Sequence, residues 1–306
     1  MGRERSIVSR ALSALVAGVL VTAASADAQA FCRTTTCDPN NPADHCRIDE
    51  KGCTRSGAPL TWPSLPIAYR FYAKVSQKID HDVAREAVRS AFQSWSEVVC
   101  ENGHRTSLRF EEQQDIVGSK PGNPHMAGAQ HFGIYFRDDT WTAKDADSTL
   151  ALTTQSFGKI SGDLDVSDIE INTTTEAYAT GDTSKGIDLQ AVVTHEVGHY
   201  IGLAHSLESD SIMVARYCDS GERCSGDKAD ARKLSEDDRA AVCALYPAAG
   251  ISGVTPADPN EGGCALGGTG HATSGRSSAA SWLPLGAAAF VVAALRRRRR
   301  RRRRSV

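Results

Sequence analysis

Three histidines at fixed spacings constrain the fold of this chain more than any other feature of its sequence. Residues 194–206 read T-H-E-V-G-H-Y-I-G-L-A-H-S, with His195 and His199 four positions apart and His205 six positions further on. On an α-helix, a four-residue spacing places two side chains on one face, about 6 Å apart along the axis. The two imidazole rings can then bind one metal ion. Glu196 points about 100° round the helix, beside that ion rather than onto it.

The third histidine can reach the same ion only if the helix ends before it. In a continuous helix, His205 would lie about 15 Å from His195 along the axis, which is too far for a shared ion. Gly202 precedes His205 and lacks a Cβ, so it can adopt the positive φ of a helix terminus without steric cost. The sequence therefore predicts a helix, a turn at Gly202 and three nitrogen ligands. Three protein ligands leave a fourth position open on zinc, as a hydrolytic site requires.

The motif H-E-x-x-H-x-x-G-x-x-H resembles the signature of the metzincin metallopeptidases. Other features are similar to the bacterial matrixins within that group. Ser206 follows the third histidine, and Met213 lies eight residues after His205, where matrixins place a Met-turn under the zinc. The resemblance covers residues 60–247, with a departure at residues 214 and 215, where Val and Ala stand in place of the usual Tyr and Pro.

This resemblance implies a secreted or surface-attached zinc metalloendopeptidase. It would hydrolyse internal peptide bonds with a zinc-activated water and with Glu196 as general base. His195, His199 and His205 would bind one catalytic Zn²⁺, and Gly202 and Met213 would have structural roles. The implied fold is α+β, a zincin-like (metzincin) domain with a twisted, mainly parallel mixed sheet of about five strands and three helices. Leu150–Thr154 would be the edge strand on which an extended peptide docks.

Apolar periodicity is consistent with this order of elements. Strands are predicted at Pro66–Phe71, Leu108–Glu112, Phe132–Phe136, Leu150–Thr154 and Leu164–Ile171, and helices at Asp80–Val99, Ile187–Leu203 and Ser235–Tyr246. Ser235 can cap the last helix, with Asp238 returning the bond three residues later. A strand, a helix, several strands and two helices suit one α+β domain at 60–247.

Four acidic residues close to a turn suggest a second metal. They are Asp163, Asp165, Asp168 and Glu170. Hard oxygen ligands of this kind suit Ca²⁺, which the resembled family also binds. The alternative is a solvated strand face with alternating charge.

Both ends of the chain are typical of targeting segments. Residues 1–30 combine arginines, an apolar run and Ala28-Gln29-Ala30, which predicts a signal peptide. Residues 248–280 are rich in Gly, Ser and Pro, which predicts a linker. In the tail (281–306), an apolar segment precedes nine arginines, a pattern typical of stop-transfer signals. With Cys264 upstream, the tail resembles the C-terminal sorting tags of myxobacterial surface proteins. The alternative is a plain transmembrane anchor.

The cysteine content and the net charge of the chain limit which compartment and which partners are plausible. Eight cysteines lie in residues 31–263, four of them in a Cys-rich N-terminal segment (31–59). In an oxidising compartment these predict disulfides, including a knot in that segment and a Cys218–Cys224 loop. Residues 31–263 hold 22 Lys and Arg against 35 Asp and Glu, a net charge of −13, which argues against a nucleic-acid partner. We expect protein or peptide substrates, a monomer, and transient membrane association through the tail.

Two other classes of function remain open at this point. The first is a surface adhesin or binding module that keeps the fold and the zinc but does not cleave; an intact Glu196 is the only feature of the sequence that argues against it. The second is a zinc hydrolase that acts on bonds other than peptides. A zinc site built from cysteines is disfavoured, because the chain contains no Cys-x-x-Cys pair.

Overall fold

The computed structural model of this chain describes residues 31–101, 103–117, 132–141, 149–174, 177–180, 186–215, 230–248 and 287–293. These ranges contain α1 (His81–Ser96), α2 (Leu189–Tyr200) and α3 (Glu236–Leu245), with short 3-10 helices at Pro42–Asp44 and Asp230–Arg232. Several predictions lie outside the described residues: the signal peptide, the linker from 249 onward, the arginine run and the Cys218–Cys224 loop.

The main sheet is mixed and mostly parallel. Its strands are β1 (Ile67–Phe71), β2 (Phe110–Glu112), β3 (Gly133–Arg137), β4 (Thr149–Phe157), β5 (Leu164–Asn172) and β8 (Ala287–Ala293). Their order is β2-β1-β3-β5-β4-β8. The first four are parallel, whereas β4 runs antiparallel to β5 and β8 antiparallel to β4. A separate two-stranded sheet pairs β6 (Tyr178–Ala179) with β7 (Ile187–Asp188). The predicted α+β metzincin architecture is confirmed.

Helix α1 packs an apolar face against the sheet and against α2. It begins at a cap, where the Asp80 carboxylate accepts hydrogen bonds from two backbone amides of the first turn. Phe92 stacks on Tyr69 of β1, with 4.1 Å between ring centroids. Trp95 is fully buried and donates its indole N–H to the carbonyl of Thr194 in α2. Helix α1 therefore braces the motif helix from the side.

Helix α2 is shorter than the sequence predicted. Residues 187 and 188 form β7, and the Asp188 carboxylate caps the helix by accepting from the amide of Ala191 over 2.8 Å. Arg232 pairs with this buried carboxylate, which compensates its charge. At the other end the helix stops at Tyr200, and Gly202 has a φ of +102°. The predicted turn at Gly202 is confirmed.

Helix α3 begins with the predicted capping box, in which Ser235 and Asp238 exchange hydrogen bonds. The hydroxyl of Tyr246, just after the helix, donates to the carbonyl of Ile201 at the end of α2. A disulfide between Cys100 and Cys243 joins α3 to the residues that follow α1. These contacts hold α3 against the end of α2 and against the residues that follow α1.

The N-terminal segment (31–59) is closed by two disulfides. Cys32 bonds with Cys53, and Cys37 bonds with Cys46. A knot of these four cysteines was predicted, although their pairing was not. Phe31, at the start of the described residues, is only 3% exposed and lies in the main core. The segment is thus part of the folded body.

The structure does not support the predicted transmembrane segment. Across the described ranges, no helix has the length and apolar character needed to cross a bilayer. Within the tail, Ala287–Ala293 instead forms strand β8, which pairs with β4. The remaining residues of the tail lie outside the described ranges.

Removal of the Cys100–Cys243 disulfide should destabilise the domain. This bond closes a sequence separation of 143 residues, and the loss of a native disulfide costs about 2–5 kcal/mol of unfolding free energy. We expect the Cys100→Ala/Cys243→Ala variant to show that loss in denaturant unfolding. Val99→Ala, at an exposed neighbouring position, should change the unfolding free energy by less than about 0.5 kcal/mol. An unchanged midpoint in the double variant would contradict the prediction.

Candidate metal centre

The three motif histidines converge on one point. Nε2 of His195 lies 3.1 Å from Nε2 of His199, and Nε2 of His199 lies 3.3 Å from Nε2 of His205. Zinc–nitrogen bonds of about 2.0–2.1 Å at tetrahedral angles place ligand nitrogens about 3.3 Å apart. The observed separations therefore match a nitrogen triad around one zinc ion. The predicted turn at Gly202 brings the third ring back to the helix.

Backbone carbonyls fix the orientation of two of the rings. Nδ1 of His195 lies 2.6 Å from the carbonyl oxygen of Ile212, and Nδ1 of His199 lies 2.8 Å from that of Leu203. A carbonyl can only accept, so each Nδ1 carries the proton and each Nε2 presents its lone pair. Such outer hydrogen bonds hold metal-binding imidazoles in the correct tautomer.

Burial keeps all three imidazoles neutral. It lowers the pKa of His195 to about 3, with a further contribution from His205, and it lowers the pKa of His205 to about 4. Burial and the two neighbouring rings hold the pKa of His199 well below its ordinary value. Neutral imidazole is the form that binds a metal. At neutral pH the triad is therefore ready to accept a cation.

Glu196 lies beside the triad with one carboxylate oxygen engaged and the other not. Its Oε2 accepts a hydrogen bond of 2.6 Å from the Thr153 hydroxyl. Its Oε1 is buried and accepts no hydrogen bond from any of the residues that the structure describes. A buried polar atom without a partner is costly unless a ligand completes it. This oxygen therefore fits a polar group held next to the triad.

The pKa of Glu196 reflects the same burial. Burial raises this pKa to about 8, and the hydrogen bonds from Thr153 oppose the shift. A positive charge close by favours the carboxylate form and would lower the pKa again. The protonation state of Glu196 is thus coupled to occupancy of the triad by a cation.

Met213, which the resemblance assigns to a Met-turn, packs against α2 at Gly198, one residue before the second histidine. It is 2% exposed. A Cβ built on Gly198 would lie 2.2 Å from the Met213 sulfur, so helix and turn touch where only glycine fits. The Met213 carbonyl accepts from the amide of Ser206, which ties the turn to the residue after the third histidine.

Two polar side chains of β4 support the centre and were not predicted as site residues. The first is Thr153, whose hydroxyl donates to Glu196. The second is Gln155, whose side-chain amide donates to the carbonyl of His199 over 2.7 Å. Both side chains are fully buried. Polar residues inside a strand that is almost entirely buried have to find partners, and this could have indicated a role. Their partners on α2 were not apparent from sequence.

Asp238 was predicted only as a capping residue, but it also anchors the Met-turn. Its two carboxylate oxygens accept from the hydroxyl of Ser211 and from the amide of Ile212. Ile212 is the residue whose carbonyl orients His195. The start of α3 is thereby linked to the first histidine of the triad.

The predicted calcium ligands do not meet at one point. Asp165 is exposed on β5, whereas Asp168 is buried on the opposite face and accepts from the amide of Gly133. Glu170 pairs with Arg137. Among the described residues, no three of the four predicted carboxylates form a group close enough to share an ion. Calcium at these positions stays a prediction.

A second group of metal-ligand side chains occurs in the N-terminal segment. Cys37, Asp44 and Cys46 lie within reach of one ion. The two sulfurs, however, are joined in a disulfide, and only thiolate binds metals well. This group is therefore structural.

Several known proteins are similar to this chain. The family model described as Matrixin matches residues 61–247. Matrix metalloproteinase-19 of Homo sapiens is 28% identical over 188 residues, covering 60% of this chain and 30% of the relative. Metalloendoproteinase 1-MMP of Arabidopsis thaliana is 27% identical, covering 56% and 41%. Matrix metalloproteinase-25 of Mus musculus is 31% identical, covering 61% and 26%. The chain spans less than half the length of each of these relatives.

Loss of the third imidazole should weaken metal binding by orders of magnitude. We expect His205→Ala to reduce zinc affinity at least about 100-fold, because the site falls from three protein ligands to two. The measurement is competition against a chromophoric chelator. His81→Ala removes an exposed histidine at the start of α1 and should leave affinity unchanged. Equal affinities in the two variants would exclude His205 as a ligand.

Proposed function

The chain belongs to the matrixin family, and from this premise we propose that it is a secreted or surface-attached zinc metalloendopeptidase that hydrolyses internal peptide bonds. The observation that carries the proposal is the convergence of three Nε2 atoms at the helix that also carries Glu196, whose buried Oε1 has no partner within the described ranges. Metalloproteinase names among the relatives support the same reaction class. Their greater length means that the substrate and partners of this chain are proposed from its own site.

His195, His199 and His205 would hold the zinc ion. When bound, zinc supplies Lewis-acid chemistry, making a coordinated water acidic near neutral pH and polarising the scissile carbonyl. Because all three rings are neutral and buried, the ion keeps its full charge for that purpose. The three protein ligands leave one side of the site to water and substrate.

Glu196 would act as general base and then as general acid. Its Oε1 has no hydrogen-bond partner among the described residues, so it can accept the proton of the attacking water. The same oxygen can deliver that proton to the leaving amine. Proton transfer of this kind contributes about 10²–10⁴-fold to rate. The Thr153 hydroxyl holds the other oxygen and so directs Oε1 toward the reacting atoms.

An extended substrate would dock along β4 by main-chain hydrogen bonds. This strand is suited to that role because its side chains bond to α2 at Glu196 and His199, while strand backbone can pair with a peptide at its outer edge. In the structure β8 pairs antiparallel with that edge, from Thr149 to Ser156. Peptide and β8 need the same backbone groups. Docking therefore requires β8 to leave the edge or to be removed.

The location proposed for the protein follows from its ends and its cysteines. A signal peptide at 1–30 and a sorting tag at 281–306 would bring the domain to the cell surface or beyond. The three disulfides of the described residues fit an oxidising compartment. Substrates would be extracellular proteins or peptides.

A non-cleaving adhesin is the alternative, and the geometry of Glu196 argues against it. A binding module needs no buried carboxylate with a free oxygen beside the metal, because leaving that oxygen unpaired costs stability.

Chelator-sensitive cleavage tests the proposal. The full chain and residues 31–260 should both be assayed on a mixed protein substrate, with mass-spectrometric mapping of cut sites, because β8 occupies the β4 edge in the full chain. We expect a zinc chelator to abolish cleavage and added zinc to restore it. Glu196→Gln should retain zinc and lower kcat about 10²–10⁴-fold, whereas Glu101→Gln, at an exposed position, should behave as the unaltered protein. Zinc binding without cleavage in both forms would favour the adhesin.

Thr153 should affect turnover more than substrate binding. Thr153→Val keeps the shape of the side chain but loses the bond to Glu196, so we expect kcat to fall about 10–100-fold, the cost of a misplaced catalytic group. KM and zinc content should change little. Thr153→Ser restores a hydroxyl and should recover most of the activity. Equal kcat for the Val and Ser variants would exclude a positioning role for the hydroxyl.

A further inference from the structure

Residues 32–34, called the clamp below, bind the backbone that leads to the third histidine. The amide of Thr34 donates to the carbonyl of Gly202 over 2.9 Å, and the amide of Ala204 donates to the carbonyl of Cys32 over 3.0 Å. The central residues of the two stretches form an antiparallel bridge. The clamp thus pairs like a short strand with the turn between the second and third histidines of the triad.

The stretch held by the clamp orients two ligands. His205 follows Ala204 directly, so its position depends on this backbone. His199 depends on it as well, because its Nδ1 donates to the carbonyl of Leu203, in the middle of the stretch. A shift of residues 202–204 would therefore move one ring and release the other from its acceptor.

The clamp is supported from its other side by Leu60, the residue just before the range that the family model matches. The amide of Leu60 donates to the carbonyl of Thr34 over 2.8 Å. A Cβ placed on Gly202 would lie 2.1 Å from the carbonyl oxygen of Leu60. The clamp, the turn and residue 60 are therefore packed so closely that the turn cannot move toward residue 60 without a clash.

The disulfide between Cys32 and Cys53 tethers the clamp. Both cysteines are buried, with exposures of 4% and 1%. The carbonyl of Cys32 also accepts one of the two hydrogen bonds between the clamp and the turn, the one from the amide of Ala204. The second disulfide, Cys37–Cys46, closes a loop whose cysteines are partly exposed. Of the two disulfides in this segment, Cys32–Cys53 contains a residue that bonds to the turn before His205.

We propose that the clamp, tethered by Cys32–Cys53, is a positioning part of the metal centre that sets its zinc affinity by holding residues 202–204. This inference rests on the proposed zinc site. The clamp lies outside residues 61–247, the range that the family model matches, so the matched domain depends on a neighbouring segment for the geometry of its third ligand. An N-terminal segment that made no contact with residues 202–204 would not influence zinc affinity in this way.

The test compares two double variants made in the full chain. Cys32→Ser/Cys53→Ser releases the tether of the clamp, and Cys37→Ser/Cys46→Ser removes the other disulfide of the same segment. Zinc affinity is measured by competition with a chromophoric chelator, and exchange of the Ala204 amide by hydrogen–deuterium exchange. We expect the first variant to lose zinc affinity about tenfold or more, the size of effect seen when the groups that orient a metal ligand are lost. Its Ala204 amide should exchange faster.

The control variant should keep zinc affinity within about twofold and protect the Ala204 amide as the unaltered protein does. Equal zinc affinity in the two double variants would overturn the role of the clamp while leaving the proposed function intact. Failure of the unaltered protein to bind zinc would instead overturn both, so the two failures are distinguishable.

A third variant keeps the test decisive if the first does not fold. Thr34→Pro retains both disulfides and removes the amide that donates to Gly202. We expect the same loss of zinc affinity in this variant, with far-ultraviolet circular dichroism unchanged. Unchanged affinity in a folded Thr34→Pro protein would overturn the proposal.

Discussion

Three neutral imidazole nitrogens within 3.3 Å of their neighbours are the constraint on which the rest of this structure depends. The Nε2 lone pairs of His195 and His199 face one another and repel, and no proton lies between them, because both rings carry their proton on Nδ1. A cation at their centre turns this repulsion into coordination. Without a cation, the fold must therefore hold the rings in place. It does so through buried polar groups that bond to the rings on the side away from Nε2.

Several contacts provide that support. Carbonyls of Ile212 and Leu203 hold two rings, and the side chain of Asp238 holds the residue that supplies the first of these carbonyls. Trp95 of α1 bonds to α2 one residue before the motif. The sulfur of Met213 fills the space beside Gly198. Each of these hydrogen bonds is buried or partly buried, where an unsatisfied polar group or a cavity is costly, so the positions of the ligands are defined by packing as well as by hydrogen bonds.

Strand β4 links the metal centre to the substrate. Its inward side chains bond to Glu196 and to the carbonyl of His199, while its backbone pairs with β5 on one side and with β8 on the other. A peptide bound to this strand and the general base Glu196 would both be held by β4. Placing both on one rigid element favours the alignment of the reacting atoms that hydrolysis requires.

The sequence alone was sufficient to predict the class of the fold and the convergence of the three motif histidines. Helix periodicity, the absence of a Cβ at Gly202 and the capping pair Ser235 and Asp238 are local properties, and local sequence encodes them directly. Thr153 and Glu196 are 43 residues apart, and the clamp is more than 160 residues from the turn that it holds. The disulfide partner of Cys100 is 143 residues away along the chain. Contacts of this kind depend on how whole elements pack, because strand order and register select which distant residues meet, and no local pattern in the chain specifies that choice.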